Sequence, residues 1–236
     1  MNKIAYVFVF FIICAALLTA GSVGLDRDVI KTSEGDLEIT FIGHGTLMFT
    51  FNKMIIHVDP VSGMADYSTL PKAVALIKQD TTKIIAAKKC TEKLEGCIVM
   101  GNGETKTVAG LKIEAVPAYN ILHKRDSGEP FHPKGVGNGY IITFGDKRVY
   151  VGGDTENTPE MKALKNIDVA FLPMNLPYTM TPEMVADAAK AFRPTVLYPY
   201  HYGDTDTNRL VELLKDEKDI DVRIKRIYPP PAGKKK

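Results

Sequence analysis

Apolar positions in the first third of the chain come in short runs separated by turn-forming residues. Leu37–Ile42 is one such run, Thr46–Phe51 a second and Met54–Asp59 a third; Gly43-His44-Gly45 and Asn52-Lys53 divide them, and Pro60 ends the last. Runs of this length, rich in β-branched and aromatic residues and bounded by Gly, Asn and Pro, predict an antiparallel meander. The charged segment Asp26–Asp36 reads as a lead-in to it. Further on, the pattern predicts a short helix over Ala73–Lys78, a strand over Lys83–Ala87 and a helix over Lys88–Leu94. Two strands flank Gly101-Asn102-Gly103, the second being Leu111–Val116, and Pro117–Asn138 is a long Gly/Pro/His-bearing connection. Connections of that length in a compact domain are usually functional or mobile.

The second half alternates strand and helix. Tyr140–Phe144 and Arg148–Val151 predict a hairpin over Gly145-Asp146, followed by a helix near Pro159–Leu164. Asp168–Leu172 reads as a buried strand, Pro182–Phe192 as a helix, Thr195–Tyr198 as a strand, Asn208–Lys215 as a helix and Val222–Tyr228 as a last strand. Thr181 stands as the N-cap of the second helix and Pro182 as its first residue, the preferred start chemistry. Met184, Val185, Ala188 and Phe192 keep one helical face. A meander followed by alternating β and α predicts an α+β fold, two mixed sheets packed face to face with helices outside. No fixed-period repeat and no Pro/Ser-rich linker divides the chain, so residues 22–236 read as a single domain.

Residues 1–21 read differently. Lys3 precedes an unbroken apolar run from Ile4 to Leu18, then Thr19-Ala20-Gly21. This is the order of a secretory signal peptide, and the run is shorter than the roughly 20 residues of a bilayer span. The expected location is therefore secreted or periplasmic, the alternative being an uncleaved N-terminal membrane anchor. The formal net charge of the whole chain is +2, and +1 without Lys3. Near-neutrality argues against a nucleic-acid partner, and the terminal Gly-Lys-Lys-Lys reads as a solvated tail. Cys90 and Cys97 can pair in an oxidising compartment or remain free thiols, and the spacing does not choose between them. The Gly-rich Gly135–Gly139 lacks a following helix and Lys-Ser/Thr, so it reads as a turn before Tyr140.

Candidate chemistry sits where strands end: His44, Asp59, Asp154 and His201. Taken singly, each has an ordinary structural reading. His44 lies between two turn glycines, and Asp59 before Pro60 is a good turn starter. Asp154 can cap a helix, and His201 can pack in the aromatic stretch Tyr198–Tyr202.

Taken together in order, GHGTLMF, MIIHVDPVSGMADYSTLPKA, VPAYN, FHPKGVGNGYIITFGDKRVYVGGDTE, DVAFLPMNLPYTMTPE and VLYPYHYGDTD resemble the metallo-β-lactamase-fold hydrolases. They are most similar to the branch that contains ascorbate-6-phosphate lactonase and small metal-dependent hydrolases, over nearly all of Leu37–Tyr228. The resemblance implies an αββα sandwich with one or two metal ions, usually zinc, where the sheets meet. It implies hydrolysis of a small-molecule ester, lactone, amide or phosphodiester by water that the metal activates. Asp154 matches the family's bridging aspartate and His201 its last metal-binding histidine. These two are the expected catalytic and metal residues, with His44 and His132 as further metal candidates and zinc or manganese as the ion.

Two departures stand out. The family carries His-x-His-x-Asp-His after the segment matching Ala65–Ala73, whereas here Ala73 runs straight into Val74. The five histidines are His44, His57, His123, His132 and His201, so no His-x-His occurs in the chain. The simplest account is the loss of a strand and its loop, on the order of 15 residues. Such a loss predicts an open gap or a shifted register in the first sheet. The second departure is Asn120, where many relatives place a metal-binding histidine. With Asp154 and His201 alone, short of the three protein ligands a catalytic zinc normally has, weak metal binding is expected. A non-catalytic member of the family, acting as a binding or structural module, is the alternative.

Overall fold

The computed structural model describes residues 25–61, 83–93 and 96–227, and the backbone of 11–15. The predicted helix over Ala73–Lys78, the Ala73–Val74 junction, the C-terminal lysines and most of the leader lie outside the described residues.

Among the described residues, two seven-stranded mixed sheets form the body. The first contains, in spatial order, β2 (Arg27–Thr32), β3 (Gly35–Gly43), β4 (Thr46–Phe51), β5 (Met54–Val58), β1 (Phe11–Ala15), β6 (Lys83–Ala86) and β7 (Ile98–Val99). The second runs β14 (Asp221–Val222), β13 (Val196–Tyr200), β12 (Val169–Pro173), β11 (Lys147–Val151), β10 (Gly137–Phe144), β9 (Leu111–Ala118) and β8 (Thr105–Val108). This is the expected α+β sandwich. Period-two alternation builds it, because successive strand residues face opposite sides. Leu37, Ile39 and Phe41 of β3, Phe49 of β4 and Ile56 of β5 meet Ile113, Tyr140, Ile142, Val149 and Phe171 in a core between the sheets. Phe171 stacks on Tyr198 at a centroid distance of 4.9 Å and meets Phe49 at 5.7 Å, so aromatic rings join the two sheets at the centre.

The other face of the second sheet is apolar as well. Tyr150, Ala170, Leu172 and Leu197 pack there against Met161, Val185, Ala189 and Leu210. These come from α1 (Pro159–Lys162), α2 (Pro182–Phe192) and α3 (Thr207–Leu214). Burial on both faces is why β12 and β13 read as continuous apolar runs. The Thr181 hydroxyl accepts the Met184 N–H, with Pro182 in the first turn, as the start signals predict.

Several local expectations are corrected. Arg27–Thr32 is a strand, not a lead-in, because its main chain pairs along β3 while Arg27 and Lys31 face outward and Asp28 turns toward the second sheet. Lys88–Lys93 is a 3-10 helix. Thr105–Val108 forms a hairpin with β9 over Ala109-Gly110, both at positive φ. Strand β10 already begins at Gly137, where a turn is predicted. Gly139 is needed there for close approach, since a Cβ would stand 2.5 Å from the Gly152 carbonyl oxygen. The last strand is only Asp221–Val222.

The gap anticipated in the first sheet is filled. Phe11–Ala15, within the run that reads as a leader, lies between β5 and β6 and pairs antiparallel with both. Main-chain donors and acceptors on both flanks call for partners, and Phe-Ile-Ile-Cys-Ala is a favourable strand composition. Neither Cys90 nor Cys97 is in a disulfide, and burial pushes the Cys90 thiol up to about 11.

Candidate metal centre

One edge of the sandwich collects the strand ends. In the second sheet β11, β12 and β13 run parallel, so their C-terminal ends open on the same side. Asp154 follows the first, Asn175 the second and His201 the third. In the first sheet β3 and β5 share a direction with β4 reversed between them, so only alternate ends reach this edge. They carry His44 and Asp59. The Thr46 hydroxyl donates to the Asp59 carbonyl at 2.6 Å and ties these two loops together. Across the sheets, the His201 N–H donates to the His44 carbonyl at 3.1 Å.

His44, Asp59 and His201 all adopt left-handed backbone, with φ of 53°, 46° and 48°. Non-glycine residues there carry strain that clusters at functional sites. A Cβ on Gly45 would stand 3.5 Å from both the Asp59 Oδ2 and the His201 Cγ, which fixes how closely these side chains gather. The turn reading of Asp59 is therefore incomplete: its side chain is buried beside the site. Burial, reinforced by the Asp154 charge, raises its pKa well above the ordinary carboxylate value.

Asp154 is the hub. Its Oδ1 lies 3.0 Å from His201 Nδ1 and its Oδ2 lies 3.4 Å from His132 Nε2, with 9% of the side chain exposed. Burial works to raise its pKa, but His201 and His132 more than offset this and hold it below the usual range. The His44 ring meets the His201 ring edge-on at 3.8 Å. Burial, and then the neighbouring His201, lower the His44 pKa to about 4. All four predicted site residues are thus brought together.

The supporting groups were not singled out as such in the sequence. Asn120 Oδ1 accepts the His132 backbone N–H at 2.9 Å and faces its Nδ1 at 2.7 Å. Its Nδ2 donates to Glu156 and to the Tyr178 carbonyl, so the amide orientation is determined from both ends. His132 Nδ1 therefore donates to Asn120 while Nε2 turns to Asp154, so that Asn120 sets the orientation of the ring. Asn120 stands in the structure as a support for the His132 imidazole. Glu156 is fully buried and accepts the N–H groups of Ile121, Leu122 and His123 at 2.7 Å each, anchoring the start of the long loop that carries His132. Its position in Gly-Asp-Thr-Glu, just after Asp154, is the one sequence signal that could have found it. Beneath the site, the Tyr200 hydroxyl accepts the Gly153 N–H at 3.0 Å.

These donors do not complete a metal site. His132 Nε2 and Asp154 Oδ2 converge as a cation would require, but His201 is engaged on both nitrogens, by Asp154 and at 3.4 Å by the Asn175 amide. Among the described residues no group of three or more His, Cys, Asp or Glu side chains is arranged to hold an ion. His57 lies within β5 and His123 Nδ1 sits 2.8 Å from Glu156, so neither joins the site. Beside Asp154 opens a cavity of ≈ 410 Å³, bounded by the 3-10 helix, the start of β10 and the long loop.

A beta-lactamase superfamily domain family matches residues 38–201. A metal-dependent hydrolase of Methanoculleus marisnigri is 27% identical over 183 residues, covering 70% of this chain and 81% of that protein. One of Thermococcus onnurineus is 26% identical over 220 residues, covering 78% and 95%. Among solved structures, a candidate metal-dependent hydrolase of Parabacteroides distasonis is 47% identical with a TM-score of 0.81, covering 87% of this chain and all of that one. A metallo hydrolase of Ignicoccus hospitalis shares the fold at a TM-score of 0.62 and 22% identity.

Proposed function

This chain belongs to the beta-lactamase superfamily domain family and is hydrolase-like, and from that premise we propose that it hydrolyses an ester, lactone or phosphoester bond of a small molecule, at low rate, in the cavity beside Asp154. The observation that carries this reading is the convergence of His132 and His201 on the two oxygens of one carboxylate, Asp154, which lines that cavity. Metal dependence comes with the family names, and zinc, or else manganese, suits a mixed imidazole and carboxylate donor set. The described donors stop short of such a site, so the ion is expected to bind weakly. Asp154 and His201 are the residues on which activity should depend. The apolar run from Ile4 to Leu18 supports an extracytoplasmic setting in which the run is retained, since Phe11–Ala15 pairs within the first sheet.

The absence of any His-x-His favours a second reading, a small-molecule-binding member of the family without turnover. Titrating zinc and manganese into the purified chain, with phosphodiester and lactone substrates present, decides between them. The hydrolase reading expects metal-dependent turnover that chelation and Asp154→Ala both abolish. Turnover at buffer level with either metal in large excess overturns it and leaves the binding module.

A further inference from the structure

The cavity beside Asp154 is walled on one side by a small hairpin within the long loop. Lys124 and Pro130 pair antiparallel, the Arg125 N–H donates to the Glu129 carbonyl at 2.8 Å, and the Gly128 N–H returns to the Arg125 carbonyl at 2.9 Å. The hairpin turns the Arg125 side chain into the lining of the cavity. Its guanidinium donates to the Phe131 carbonyl at 3.2 Å and lies over the Phe131 ring at 5.1 Å from the centroid. That ring is met edge-on by Tyr178 at 5.1 Å. A stack of Arg125, Phe131 and Tyr178 therefore holds the cation in place before any ligand arrives.

Its partners set it apart from the other arginines. Arg27, Arg148, Arg193, Arg209, Arg223 and Arg226 each stand within ion-pair distance of a carboxylate. Arg125, the remaining one of the chain's seven arginines, has no such carboxylate among the described residues. A guanidinium has five N–H donors in a planar fork, and one carbonyl uses only part of them. The charges that share the cavity are Lys89, Glu129 and Asp154. Asp154 is committed to two imidazoles, and Glu129 is exposed to solvent. The remaining wall is largely apolar, with Ala87, Ala118, Phe131 and Val136.

We infer that Arg125 is a specificity-determining residue that selects a compact ligand with an apolar body and one carboxylate or phosphate group, bound by its free guanidinium edge. A planar, unpaired fork fits either anion bidentately and gives a neutral isostere nothing equivalent. The stack on Phe131 means that little side-chain freedom is lost on binding. This deepens the hydrolase reading by naming the substrate class, and it rests on that reading only for turnover, since anion recognition needs no reaction.

The test uses the full chain treated with chelator, so that metal plays no part. Phenyl phosphate, benzoate and neutral benzamide are titrated separately and followed by calorimetry and by amide shifts around 124–132. Both anions, or one of them, should bind while benzamide does not, and the tighter anion identifies the group. Arg125→Gln should weaken anion binding about tenfold or more, as loss of a charge-assisted bidentate contact implies. Arg125→Lys should recover part of the affinity, and Phe131→Leu should cost less than Arg125→Gln while leaving the guanidinium present. An unchanged thermal midpoint in Arg125→Gln ties the loss to the contact. Equal binding of benzamide and benzoate, no anion binding at all, or full affinity in Arg125→Gln overturns the inference. Anion binding without turnover on any added metal sinks the hydrolase reading alone.

Discussion

The two sheets contribute unequally to the edge where they meet. In the second sheet three consecutive parallel strands deliver Asp154, Asn175 and His201 side by side, because every parallel strand ends on the same side. In the first sheet the meander delivers only His44 and Asp59, because every other strand points away. The position after β5 is thus the next place from which that sheet could add ligands. It is held by β1, which runs antiparallel to β5, with Phe11 beside Val58 and Ala15 beside Met54. A loop leaving the C-terminal end of β1 therefore opens at the wrong edge. The slot is filled with main chain, and no donor follows from it. Topology, more than the identity of any single residue, decides which half of the sandwich brings polar side chains to the edge.

The largest effect should come from correcting that polarity. Inserting a strand and loop that carries His-x-His-x-Asp-His between Ala73 and Val74, on the order of 15 residues, would offer the slot a strand parallel to β5. Metal content should then rise from a trace to at least one equivalent, and turnover should rise with it, since three or more protein ligands define a catalytic site. Elemental analysis of the inserted and parent chains checks this. Equal metal content in the two would show that the second sheet's donors, not the first sheet's slot, set the limit.

The contrast between halves also explains what the sequence could disclose. Runs buried on both faces, such as Val169–Pro173 and Val196–Tyr200, announce themselves by composition, and Thr181-Pro182 marks a helix start by local chemistry. Asp154 and His201 were legible because their strands are. Arg27–Thr32 was not, since an edge strand that alternates exposed and half-buried positions has the composition of a charged lead-in. The role of Asn120 was illegible for another reason. Its meaning lies in contacts with His132, twelve residues away, and with Glu156, thirty-six away, which no local pattern encodes. Asp59 was read as a turn residue, and its left-handed backbone agrees. What the turn reading lacked was the second sheet closing over the side chain. Placement of Phe11–Ala15 depends on the vacancy between β5 and β6, a property of the sheet and not of those five residues.

Glu156 tests how far the second half's site depends on its supports. Its buried carboxylate faces three backbone N–H groups, the Asn120 amide and His123. Glu156→Gln places an amide donor among those donors and should cost about 1–3 kcal/mol, the range for leaving a buried polar group unsatisfied. Urea denaturation measures the loss. Hydrogen exchange at Ile121–His123 should accelerate well before the β12 amides change, because the loop is anchored there while the strand is held by the sheet. If exchange speeds up uniformly instead, Glu156 supports the whole domain and not the His132 loop.

The smallest effect belongs to the seam at the opposite flank. Asp28 of β2 accepts from the Tyr198 hydroxyl at 2.8 Å and pairs with Lys225 at 2.9 Å and Arg223 at 3.1 Å, joining the first sheet to the C-terminal segment. Burial works to raise its pKa, but Lys225, Tyr198 and the Val29 N–H together bring it down from 3.8 to about 2. A carboxylate depressed in the folded state contributes stability above its unfolded pKa, and loses it as the pH falls from that value through the folded one. Asp28→Asn should therefore destabilise by about 1–2 kcal/mol at neutral pH, allowing for partial solvation. The difference from the parent chain should shrink as urea melts are taken from pH 5 toward the folded value of about 2. A difference that stays constant across that window would mean that Asp28 holds the seam by shape and hydrogen bonding and not by charge. The two flanks would then differ in kind, charge mattering to Asp154, which two imidazoles face, and not to Asp28.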